Sequence, residues 1–516
     1  MCGIFCYFTT EKESIDLEQL KDNGSKCKHR GPDNTKELII HGNNNLVVYF
    51  QFHRLAINGL DEISNQPLKI KKAEHLTLIC NGEIYNYQKL AEKYNFEMET
   101  NSDCEVILHL ATILPLNHFI NELDGVFSFV LYDSIKNLVM VGRDPYGIRP
   151  LYYFNEGNTF GFSSEMKCLT ELSSNIKFYP PSGFSFYYAN TNKYHEYNYN
   201  DYEYDEIEDI DKNICNTIHE KLNNSVQKRL ITDRPFGCLL SGGLDSSIII
   251  SIICKYFEAK NIRTFAIGLE NSPDLIAAQK VADYLGTNHT NVVVSEKEML
   301  EAIDETIYQI ESKDTTTVRA SVPMFLLSKY IRDNTDIKVI FSGEGSDEAS
   351  GSYLYFHNAP NPTEFQKESV RLVRDVQYFD VLRSDRTTAG AGLEIRVPFF
   401  DKDFMKYYMS IDPRKKVVRD GMEKYLLRKS FETELPEEIV WRRKDGFSDG
   451  VSQKEKPWYE IINDYTMEKY KLPEKEYYLS VYQKYYNGFE NVVPYYWMPK
   501  WIENVGDNPS GRLIID

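Results

Sequence analysis

The chain has 516 residues, enough for about two to four domains rather than one core, and its 42% apolar content excludes wholesale disorder. Its 77 acidic side chains outnumber 59 basic ones, and the net charge of -18 excludes the basic face that a nucleic-acid backbone requires. No run is apolar and long enough to cross a membrane. The nine cysteines are odd in number, lie at or before Cys254 and form no C-x-x-C pair, which argues against a disulfide framework or zinc knuckle and fits the reducing cytoplasm.

In chain order, residues 46–57, 76–80, 125–132, 138–142 and 151–154 read as short strands between turn residues, with a helix over 102–113. That pattern predicts an α+β domain built on antiparallel sheets, spanning residues 2–189. Residues 190–211 are dense in Tyr, Asn, Asp and Glu without a core period, and read as a linker. From 212 to 516 strands alternate with longer helices. Residues 235–240 form an apolar strand, Gly242-Gly243 break it, and 245–257 read as an apolar helix; 263–269 and 338–341 are further buried strands. This predicts an α/β domain with a parallel sheet and helices on both faces. There is no internal repeat or low-complexity tract.

Cys2 is the first candidate nucleophile. If Met1 is removed, the α-amine sits beside the thiol on one residue, and its reference pKa of about 7.7–8.0 leaves on the order of a tenth neutral at pH 7 to act as base. The alternative is an incidental second-position cysteine. Later residues weigh against it. Arg54 offers a planar fork for a carboxylate, Asp103 an acid for an ammonium, and the Asn81 side chain with the Gly82 N–H a stabilising pair for an oxyanion. Each also has a plain reading: Asn81-Gly82 as a turn, Asp103 as a helix N-cap.

Met1-Cys2-Gly3-Ile4, His29-Arg30-Gly31-Pro32-Asp33, Asn81-Gly82-Glu83, 144–150 and 161–165 resemble, in order and spacing, the class II glutamine amidotransferases. The resemblance implies an N-terminal nucleophile fold, an αββα sandwich, and catalysis by Cys2, Asn81 and Gly82. It also implies glutamine binding by Arg54, Leu55, Ala56, Ile57, Asn58, Asn81, Gly82, Glu83 and Asp103. Position 6 is Cys where the family usually has Gly.

In the second half, Ser241-Gly242-Gly243-Leu244-Asp245-Ser246-Ser247 follows an apolar strand and opens a helix. Consecutive small residues and a helix N-terminus make an anion nest for phosphate, without the G-K-[ST] ending of a Walker A loop. Ser342-Gly343-Glu344-Gly345-Ser346-Asp347-Glu348 follows a second strand, an acidic loop that is costly for structure and typical of a ligand crevice. Asp245 and Asp347 are the candidate magnesium ligands, and Glu344 the candidate base for ammonia unless it simply pairs within the cluster. Arg319, Arg383, Arg396 and Lys444 are the candidate cations for anionic substrates.

This half resembles the asparagine synthetases, which cleave ATP to AMP and pyrophosphate. The likeness runs through 265–269, 272–274, 342–348, 353–357, 396–399, 447–450 and 507–512. It implies an ATP-pyrophosphatase domain in which Leu239, Ser241, Gly242, Gly243, Asp245, Ser246, Ile267, Ser342 and Gly343 hold ATP, and Arg319, Asp380, Arg383 and Lys444 serve aspartate or pyrophosphate. After Glu348 the family commonly has an apolar pair and two glycines, whereas this chain has Ala349-Ser350-Gly351-Ser352. The expected reaction is amidation of aspartate. Cys2 releases ammonia from glutamine, aspartate is adenylated, and ammonia displaces AMP, with a tunnel between the sites implied by the family. A β-lactam synthetase is disfavoured by Cys2, and a sugar or nucleotide-precursor amidotransferase by the pyrophosphate loop. A silent regulator is disfavoured by the intact candidate residues, and a nucleic-acid modifying enzyme by the charge. The expected partners are L-glutamine, L-aspartate and ATP with magnesium, no nucleic acid and no membrane, a homodimer being left open.

Overall fold

Short runs of aromatic and β-branched side chains make eleven strands in the first two hundred residues of this computed structural model, which describes residues 1–11, 15–442, 450–453, 456–502 and 506–509. They are β1 (Gly3–Thr9), β2 (Asn34–His41), β3 (Val47–Arg54), β4 (Leu76–Ile84), β5 (Gly125–Asp133), β6 (Leu138–Arg143), β7 (Tyr152–Glu156), β8 (Thr159–Ser163), β9 (Lys177–Phe178), β10 (Gly183–Tyr188) and β11 (Lys193–Asn198). One sheet has the order β2-β3-β1-β8-β7-β9 and the other β11-β10-β6-β5-β4, with every described pairing antiparallel.

Period-two alternation decides which faces meet. Ile4, Cys6 and Phe8 of β1 pack with Ile79 of β4, Val130 of β5 and Val139 of β6 in one buried layer between the sheets. Cys6 is thus a core residue with 0% exposure. The opposite face of β4 and β5, through Leu78, Cys80, Phe127 and Phe129, packs beneath helices Tyr87–Tyr94, Glu105–Ile113 and Leu116–Glu122. Helix Leu17–Ser25 lies on the outer face of the first sheet, where Gly24 meets Phe5 and Gln51. These layers are the αββα sandwich.

β11 lies inside the stretch expected to be a linker. Its side chains are mostly exposed and it joins the sheet only by its backbone ladder to β10, so no core period marks it. Contacts group Met1–Asp201 with Ile231–Arg234 and Ala389–Glu394 in one unit, and Tyr202–Leu230, Pro235–Thr388 and Ile395–Asp516 in another.

The second unit holds a five-stranded sheet of β12 (Phe236–Leu239), β13 (Arg263–Gly268), β14 (Asn288–Val293), β15 (Val339–Phe341) and β16 (Glu394–Arg396), ordered β14-β13-β12-β15-β16. The pairs β12–β13, β12–β15 and β13–β14 are parallel. Helices Leu244–Ile253, Pro273–Leu285 and Thr315–Asn334 connect these strands and supply the apolar cover that a parallel sheet needs. The chain runs outward from β12 to β14, then returns to the other side of β12 as β15. That reversal opens a crevice at the carboxyl ends of β12 and β15.

Candidate active sites

In the first unit, alternation places Cys2 on the Ile4 face of β1 and Asn81 on the Ile79 face of β4, so both enter the layer between the sheets. Cys2 is half-buried; its Sγ donates to the Leu55 carbonyl at 3.7 Å, and burial pushes its pKa up to about 11. Arg30 anchors the residue, donating from Nε to the Cys2 carbonyl at 2.9 Å and from Nη1 to the buried Glu165 at 3.1 Å. The Met1 amine is also buried, 3.9 Å from Glu394, and desolvation pushes it down to about 6.

Asn81 has 0% exposure, and among the described residues neither polar atom of its side chain has a hydrogen-bond partner. Buried amides are rarely left so, which marks this one as aimed at something other than the fold. Asn81-Gly82 is not a turn: both residues lie inside β4, paired with Ser128 and Phe127. A Cβ at Gly82 would come within 2.4 Å of the Val126 carbonyl. Asp103 is not an N-cap either. Helix Glu105–Ile113 begins after it without a side-chain cap, and the Asp103 carboxylate accepts from Ile84 N at 2.6 Å. The Arg54 fork closes a loop, donating to the Asp61 carbonyl at 3.0 Å, Asn65 Oδ1 at 2.8 Å, the Asn58 carbonyl at 3.2 Å and the Gly59 carbonyl. Asn58 in turn donates to Glu83, so the loop carrying Leu55, Ala56 and Ile57 is tied to β4.

In the second unit, a cavity of about 240 Å³ sits in the crevice at the strand ends. The loop after β12 contributes Ser241, Gly243, Asp245 and Ser246, and the loop after β15 contributes Ser342, Gly343, Glu344 and Asp347. Ser241 Oγ accepts from Gly243 N at 3.3 Å, while the Ser246 and Ser247 hydroxyls return to the Gly243 carbonyl at 3.2 and 2.7 Å. The loop is therefore tied before any ligand arrives, and Leu244, Asp245 and Ser246 of the first turn of Leu244–Ile253 line the cavity, a helix start whose free N–H groups suit an anion. Gly242 has φ +70°, and its Cα packs so closely on the helix Pro273–Leu285 that a Cβ would lie 2.4 Å from the Ala277 backbone.

Glu344 is half-buried among like charges. Desolvation first, then Asp380 and Asp347, push it up to about 7 against the pull of Arg383, which donates to it at 2.7 Å. Arg383 also bridges to Asp380 at 2.8 Å. Deeper in, Tyr353 donates toward Glu348 at 2.6 Å and Asp380 at 3.1 Å, and burial beside Asp380 and Asp347 holds Glu348 well above the usual carboxylate range. Asp245 Oδ2 and Asp347 Oδ1 each lie 2.6 Å from the same Lys424 ammonium. Two hard oxygen donors converging on one cation fit a magnesium ion.

An asparagine synthase model matches residues 217–364 and 359–501, and a glutamine amidotransferase domain model matches residues 1–221. The glutamine-hydrolysing asparagine synthetases of Gallus gallus and Homo sapiens are each 40% identical to the chain, covering 100% of it and 98% of their own length. The chain belongs to the asparagine synthetase family. In this chain, Leu239, Ile267, Asp380 and Arg383 join the loop residues around the cavity.

Arg319 does not join them among the described residues. Its guanidinium is taken up by Glu474 at 2.7 Å and Asn508 at 2.9 Å, a buried pairing that a residue-by-residue likeness could not reveal. Arg396 is likewise spent elsewhere, donating to the Arg229 carbonyl. Lys444 lies outside the described residues. Among the described residues three further cations line the cavity: Lys424, Arg428 and Arg442, the last donating to the Gly242 carbonyl at 3.1 Å. They come from the start and body of helix Tyr425–Ser430 and from the segment before residue 443, with no motif of their own to mark them.

Proposed function

We propose that this chain is a cytoplasmic, glutamine-hydrolysing asparagine synthetase that uses ATP and magnesium. The observation that carries the reading is the single crevice gathering both glycine-serine loops, two converging carboxylates and a carboxylate poised near neutrality. Membership of the family supports it, and the nine free cysteines suit a reducing compartment. Among the described residues no helix is long and apolar enough to cross a membrane. A homodimer is compatible with the reading, and an acidic surface gives nucleic acid no purchase.

In the first unit the Cys2 sulfur attacks the glutamine side-chain amide. A thiol held near pKa 11 is protonated at neutral pH and needs a base in contact. Removal of Met1 supplies that base as the α-amine of Cys2. The Asn81 amide and Gly82 N–H hold the oxyanion, ammonia leaves with the carbonyl carbon as a thioester, and water frees glutamate. The loop from Arg54 to Asn58, with Glu83 and Asp103, shapes the glutamine pocket.

In the second unit the loop from Ser241 to Ser246 cradles the phosphates and Leu239 and Ile267 flank the nucleotide. The aspartate side-chain oxygen bonds to the α-phosphorus as the bond to pyrophosphate breaks, giving a β-aspartyl adenylate. Ammonia then attacks the acyl carbon and AMP departs; Glu344, half ionised near pH 7, takes the proton. Asp380 and Arg383 hold Glu344 and face aspartate, with Arg442 beside the pyrophosphate. Asp245 and Asp347 would hold magnesium, which withdraws charge from the phosphate oxygens when bound. Cys2→Ala tests the division of labour: glutamine-driven asparagine synthesis should vanish while ammonia-driven synthesis keeps the parent rate. Equal loss of both would contradict it.

A further inference from the structure

The Lys424 ammonium stands between the two carboxylates of the crevice, 2.6 Å from Asp245 Oδ2 and 2.6 Å from Asp347 Oδ1, with 3% of its side chain exposed. Both carboxylates are steadied from behind. Ser346 Oγ donates to Asp245 Oδ1 at 2.7 Å, and Ser352 Oγ donates to Asp347 Oδ1. The lysine is steadied as well. Its backbone is left-handed, φ +60°, which is unfavourable for a long side chain and needs support from its surroundings. Arg428 gives that support, donating to the Glu423 carbonyl at 2.8 Å and to Glu423 Oε1 at 2.6 Å.

Resting on the reading of this crevice as a magnesium–nucleotide site, we propose that Lys424 is a positioning residue that holds the place between Asp245 and Asp347 until nucleotide arrives, so that the divalent cation enters only with the polyphosphate. A dication and a buried ammonium on the same oxygens repel strongly where water is scarce. The ammonium can yield only if another anion receives it, and the phosphates of an incoming nucleotide are that anion. Metal and nucleotide then raise each other's affinity by the same factor, because such coupling is reciprocal. Mispairing is also suppressed: before nucleotide binds, Lys424 keeps the two carboxylates compensated rather than repelling.

Manganese, which stands in for magnesium and is visible by electron paramagnetic resonance, provides the test on the full-length chain. The Asp245→Asn/Asp347→Asn double variant sets the background from other surface acids, such as Glu206 and Glu208 near Arg414. The unaltered chain should bind manganese alone no better than that background, and tightly once α,β-methylene-ATP is added. Lys424→Met should bind manganese alone at least about tenfold tighter than the unaltered chain, a step of about 1.4 kcal/mol. Lys424→Arg, which keeps the charge, should restore the block. Tight binding of manganese alone by the unaltered chain, or no gain in Lys424→Met, overturns the proposal. The comparison on the unaltered chain needs no variant to fold. Failure of α,β-methylene-ATP to bind would instead sink the synthetase reading, with the metal-only arm still deciding the role of Lys424.

Discussion

Asn81 carries both polar atoms of its amide into the sandwich with no partner for either among the described residues, a placement that costs about 1–3 kcal/mol per unsatisfied group. On the proposed reading, the group that would use such a residue is an oxyanion that forms for an instant. Asn81→Ala should therefore lower the rate of glutamine hydrolysis by about 10²–10³-fold, leave ammonia-driven synthesis intact, and not lower the melting temperature. A drop in melting temperature with unchanged glutaminase turnover would make the amide structural. At this scale Asn81 stands out in the sequence as a candidate because its neighbours carry a recognised pattern, although the same two letters also spell a turn; the β4 ladder excludes the turn. Arg319 shows the opposite case. A buried arginine is chosen by its partner, and Glu474 is 155 residues away, beyond the reach of local pattern.

The two loops that make the crevice are legible at the scale of elements, since each is an apolar strand followed by small and acidic residues. What the sequence left open was their adjacency, which depends on β15 returning beside β12 rather than extending the sheet past β14. The loop after β12 is also held by packing. Gly242→Ala would place a Cβ 2.4 Å from the Ala277 backbone at a φ of +70°, a conformation that costs an alanine about 1–2 kcal/mol before any clash. AMP formation should be lost and the melting temperature of the second unit lowered, while glutamine hydrolysis persists. Retained AMP formation would mean the loop is not the phosphate cradle. β11 was missed for an equally physical reason: an exposed edge strand buries too little to leave a period.

For the molecule as a whole, the crevice is maintained at a cost in stability that depends on pH. Glu344 has a folded pKa near 7 against an ordinary value of 4.5, so the folded state binds its proton more tightly than the unfolded state does. The cost is absent below about pH 4.5, grows as pH rises to about 7, and is constant above. Glu344→Gln should therefore raise the melting temperature relative to the parent at pH 8 more than at pH 5, while slowing asparagine formation; an equal difference at both pH values would place the carboxylate in an ordinary environment. The two-part organisation was visible as a change of period from short strands to strand–helix alternation, while the segments Ile231–Arg234 and Ala389–Glu394 that group with the first unit were not, being short returns of chain with no signature. The most direct test of the central claim is a mass-spectrometric assay with ATP, magnesium, aspartate and amide-labelled glutamine. The account requires labelled asparagine in step with AMP and pyrophosphate. AMP without labelled asparagine, or ADP in place of AMP, would contradict it.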